Sequence, residues 1–91
     1  MSHTDYEMLG RYTEAKERAE RVMRERARVL YDLKSQINGD HAAEDVKRID
    51  WDKAEALLAA ARELDVELRQ AFDDGNLAAE TLGKPRLDYR R

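Results

Sequence analysis

Cysteine is absent from the 91 residues, which removes disulfide staples, thiolate zinc sites and cysteine nucleophiles together. Proline occurs once, at Pro85, and glycine four times, at Gly10, Gly39, Gly75 and Gly83. So little punctuation leaves room for long uninterrupted helices. No apolar run comes near the roughly 20 residues of a membrane span. No basic start followed by an apolar stretch reads as a signal peptide, so a cytoplasmic location is expected. No glycine-rich phosphate loop, no His-Glu-x-x-His and no calcium-loop pattern is present. The histidines are His3 and His41. His41 stands beside Glu44 and Asp45 without a second histidine at ligand spacing, and is expected in solvent. No catalytic, cofactor or metal residues are expected.

What the chain has is charge: 17 Lys and Arg against 20 Asp and Glu, for a net charge of -3. A single small domain is the size limit. Thr4, Asp5 and Glu7 have the spacing of a capping box, so a first helix is expected from about Thr4. The pattern stays helical to Ile37, before Asn38-Gly39. Tyr12, Ala19, Arg26 and Leu33 share one heptad position; Met8, Ala15, Val22 and Val29 a second; Leu9, Met23, Leu30 and Ile37 a third. A stripe this wide suits a bundle more than a two-stranded coiled coil. Gly10 interrupts it, as a weak first turn or as a place where another helix approaches closely.

A second helix is expected from Asp50, its cap, to Asp74, stopping at Gly75. Trp51, Leu58, Asp65 and Phe72 share one heptad position, flanked by Ala54, Ala61 and Leu68 and by Leu57, Leu64 and Ala71. Ala42, Val46 and Ile49 fall out of phase with that stripe, so residues 41–48 are expected to form a separate helical turn. Asn76 is read as the cap of a short third helix over 77–82, covering Met8, Leu9 and Tyr12. Gly83 closes it and Pro85 forbids continuation. Asp73-Asp74 would then sit unfavourably at a helix C-terminus, which suggests a contact with the basic tail. Residues 1–83 are thus one helical domain, and 84–91 a flexible basic tail.

Short connections make consecutive helices antiparallel. Folding the two together sets Leu33 by Leu58, Arg26 by Asp65 and Ala19 by Phe72, in pairs whose numbers total 91. The two charges that interrupt the apolar seams thereby meet, as a structural ion pair of Arg26 with Asp65 that fixes register. The fold class is therefore all-α: a long antiparallel hairpin with a short third helix. The stripes are wide enough to expect a dimeric helical bundle.

Residues 11–28 carry a net charge of +3, residues 40–80 of -7 and residues 81–91 of +3. Glu14, Glu17 and Glu20 each precede an arginine by four residues, the favourable order for pairing within a helix. The function expected is a non-enzymatic adaptor, inhibitor or regulatory subunit that binds another protein. Met8, Tyr12, Tyr31, Trp51, Arg86, Tyr89 and Arg90 are its candidate contacts, since aromatic residues and arginine dominate interfaces. One alternative is nucleic-acid association through Arg21, Arg24, Arg28, Lys84 and Arg91. A second is a small all-α enzyme with a pocket lined by Arg11, Arg26 and Arg28.

Overall fold

A computed structural model describes residues 3–37 and 48–87. Two helices, α1 (His3–Ile37) and α2 (Trp51–Leu82), pack against each other along their length. Among the described residues there is no strand. The radius of gyration is 18.8 Å, against about 12 Å for a compact domain of this size. The hairpin is a rod with a thin core.

Each end of α2 is closed by the local chemistry that the sequence offers. Asp50 lies in extended backbone and its carboxylate accepts from the Lys53 N–H at 3.1 Å, which satisfies one of the unpaired first-turn donors. At the other end Gly83 takes the left-handed conformation, φ 68°. The Lys84 N–H then donates to the Ala79 carbonyl at 2.9 Å and the Gly83 N–H to Glu80 at 3.4 Å, a Schellman arrangement. At the start of α1 the helix begins one residue before Thr4, and Glu7 pairs with Arg11 at 3.2 Å. The Thr4 side chain and the expected turn over 41–47 lie outside the described residues.

The expected third helix does not exist as a separate element. α2 runs straight through Gly75 and Asn76 to Leu82. A glycine in a helix interior costs about 1 kcal/mol, and the extension offsets it by burying Ala78 and Ala79. Those residues cover the N-terminal part of α1, the task assigned to the third helix. Continuity also removes the awkward Asp73-Asp74 pair from any helix end. Asp74 instead sits mid-helix, 3.7 Å from Arg18.

Gly75 is in the helix for packing. It is buried against α1, and a Cβ placed on it would lie 3.2 Å from the Ala15 Cβ. Gly10, where close approach was the sharper expectation, has nothing within 4 Å of such a Cβ. Gly10→Ala is therefore expected to stabilise the protein by about 1 kcal/mol. Urea unfolding followed by circular dichroism checks it, and a loss of stability would mean that Gly10 has a neighbour after all.

The core is made of Ala19, Val22, Leu64, Leu68, Ala71 and Phe72, with Met23, Val29 and Leu87 packed on its edge. Many of the buried seam positions are alanine: Ala15, Ala19, Ala54, Ala61, Ala71, Ala78 and Ala79. Such small side chains let two helix backbones come close. Leu58 and Trp51 share a heptad position with the buried Phe72 yet are 50% and 63% exposed. A strict seven-residue repeat drifts by about 20° per heptad on a straight helix. Over the three heptads from Phe72 back to Trp51 the stripe therefore turns off the seam and onto the flank.

Candidate interaction surface

The register is marked by Arg26, whose Nε donates to Asp65 Oδ1 at 2.5 Å. Both side chains are more than a third exposed, 38% and 42%, so solvent screens the pair and its coupling is expected near 1 kcal/mol. A double-mutant cycle with Arg26→Met and Asp65→Leu measures it, and coupling near zero would remove its role in register. A slip of one helical turn sets Arg26 against Arg69 or against Ala61, and both lose the carboxylate. The pair thus counts for more in choosing the alignment than in strengthening it.

Arg18 also reaches across the seam. It lies 3.7 Å from Glu67 and 3.7 Å from Asp74, so partners on α2 replace the Glu14 expected from helix spacing. Among the described ion pairs of α1, the one within the helix is Glu7–Arg11. Arg21, Arg24 and Arg28 are exposed, at i, i+3 and i+7 on one face. Tyr31, 70% exposed, follows on the same face three residues after Arg28.

The interaction candidates do not form one patch. Tyr12 is half-buried near one end of the rod, beneath the Lys84 ammonium at 5.6 Å from the ring centroid. Met8 is half-buried beside it and lines a cleft of about 290 Å³ with Ala15, Leu77 and Ala78. Trp51 and Tyr31 lie toward the other end, Tyr31 about 28 Å along α1 from Tyr12 at 1.5 Å per residue. Arg86 is exposed in the segment after α2. Tyr89, Arg90 and Arg91 lie outside the described residues.

Two sets of residues that the sequence reading passed over now stand out. Leu58 joins Trp51 on the flank of α2 that Asp65 marks, the side facing Arg26. Met23 and Leu30 lie on that side of α1, three residues before and four after Arg26, and both are only half-buried. The four share that flank: Met23, Leu30 and Leu58 lie within about two turns of the ion pair, and Trp51 about 21 Å along α2 from Asp65. The second set is Gly75, Asn76 and Leu87, which hold the chain after α2 against the hairpin. A leucine inside a basic tail was its one visible signal.

The cleft of Met8 is bordered by Arg11, Glu14, Arg18 and Asp74. Arg11 is engaged by Glu7, and Arg18 by Glu67 and Asp74. Arg26, the best residue for an arginine-lined pocket, is engaged by Asp65. Among the described residues no group of three or more His, Asp or Glu is placed to hold a metal ion. No described helix is long and apolar enough to cross a membrane. Searches against protein-family models, curated proteins and solved structures find no match to this chain.

Proposed function

We propose that the protein is a small non-enzymatic interaction module, an adaptor or regulatory subunit, that works through the apolar flank of its hairpin. The observation that carries this reading is the flank that Trp51, Leu58, Met23 and Leu30 share, with Trp51 and Leu58 at least half exposed. A tryptophan and a leucine exposed on one flank, with an ion pair further along it, have the composition of an interface centre with a polar rim.

The first partner on this reading is a second copy. α1 carries the basic excess and α2 the acidic one. A two-fold axis through the flank lays each basic helix on the other copy's acidic helix, closing a four-helix bundle. Sedimentation equilibrium tests it. The wild type is expected at about twice the chain mass of 10.6 kDa, and Leu58→Glu at the monomer mass with its helix content unchanged. A wild-type monomer at high micromolar concentration would overturn the self-association.

A second reading has its own support in the exposed Arg21, Arg24, Arg28 and Tyr31 face: association with nucleic acid, aided by Lys84 and Arg91. Three phosphate contacts imply that log K falls against log salt with a slope of about -3. A gel shift showing no complex at low salt disposes of it.

A further inference from the structure

After the Gly83 cap the chain turns back along the hairpin, and one side chain fixes it there. Asn76 Oδ1 accepts from the Leu87 N–H at 2.6 Å, and Asn76 Nδ2 donates to the Leu87 carbonyl at 3.2 Å. A single amide thus pairs with both main-chain groups of one residue, as a neighbouring strand would. Pairing of this kind reads extended backbone and is indifferent to the side chain.

The side chain is read by depth. A Cβ on Gly75 would lie 2.5 Å from the Leu87 Cδ1, so the leucine occupies the volume that any other residue at 75 would fill. Leu87 is half-buried there, on the edge of the core. Three residues earlier the Lys84 ammonium sits over the Tyr12 ring, within cation–π range. Between them Pro85 holds φ near -65° and offers no donor that would need a partner.

None of this is required to end α2, because the Gly83 and Lys84 amides already cap it. Glycine and asparagine are both poor helix formers. Their placement together in mid-helix runs against local preference, and the docked strap accounts for both.

We propose that Ala15, Gly75 and Asn76 form a recognition slot for an extended, basic, leucine-bearing peptide segment, which the chain's own residues 84–87 fill as a releasable ligand in cis. A partner presenting such a segment competes with the strap. Release of the strap uncovers Tyr12 at the same time. The slot is far from Trp51 and stands whether or not the flank binds a second copy.

The test uses the full-length chain and a dye-labelled, end-blocked peptide, Gly-Lys-Pro-Arg-Leu-amide. In Leu87→Asp the slot is emptied, and saturable binding of the peptide is expected. The wild type should bind at least about tenfold more weakly, because its tethered strap competes at an effective concentration in the millimolar range. Adding Gly75→Val to Leu87→Asp should abolish binding. Replacing the peptide's leucine with serine should do the same. Equal affinity for wild type and Leu87→Asp, equal affinity for the two peptides, or no binding to a helical Leu87→Asp chain would each overturn the proposal.

Should Leu87→Asp not fold, hydrogen exchange in the wild type decides. The Leu87 amide should exchange at least about tenfold more slowly than in Asn76→Ala, a change that leaves α2 with a better helix former. Equal rates in the two chains overturn the slot.

Discussion

Phe72→Ala is expected to remove most of the stability of the folded hairpin. Phe72 is the largest side chain of the core and is 6% exposed, packed with Ala19, Val22, Leu64, Leu68 and Ala71. Truncating a buried phenylalanine costs about 3–5 kcal/mol, the transfer term plus the cavity left behind. A chain of this size has on the order of 5 kcal/mol in total. Its elongated shape leaves few other large side chains to hold the two helices together. Thermal and urea unfolding by circular dichroism should show a transition near or below physiological temperature. Phe72→Leu, which keeps most of the volume, should cost under about 1.5 kcal/mol. If the alanine variant unfolds like the wild type, the core lies elsewhere.

Ala71→Asp is the second large effect. Ala71 has 0% exposure, and no polar or charged residue is buried among the described positions. A carboxylate there has no donor to meet it, and its side chain is too short to reach water. Burying an uncompensated charge costs about 3–5 kcal/mol or more. The same substitution at Ala59, exposed on α2, should cost only the difference in helix propensity, about 0.7 kcal/mol. Comparable midpoints for the two variants in urea would place residue 71 outside the seam.

How much was legible in advance follows from which interactions are local. Asp50 caps the start of α2 as read, and Gly83 ends a helix as read, though the helix it ends is α2 and not a separate third one; a cap depends on residues within one turn. The alignment was legible for a different reason: Arg26 and Asp65 each break an apolar seam, and one register lets the two breaks meet. Gly75 was misread because a glycine that ends a helix and one that admits a neighbour look alike in sequence. What separates them is Ala15 and Leu87, both remote along the chain. Trp51 stands among the expected contacts, but the exposure of Leu58 is hidden by heptad labels, which ignore the drift of a straight helix. Arg18 chose Glu67 and Asp74 over Glu14 because the folded hairpin brings carboxylates that an isolated helix lacks.

The bulky members of the core, Val22, Leu64, Leu68 and Phe72, lie near the middle of the rod, about level with one another. Toward both ends the buried positions are alanines, Ala15, Ala78 and Ala79 on one side and Ala54 and Ala61 on the other. The molecule thus has a waist, gripped hardest at its centre. Amide exchange is expected to be slowest around Val22 and Leu68 and to quicken in both directions along the helices.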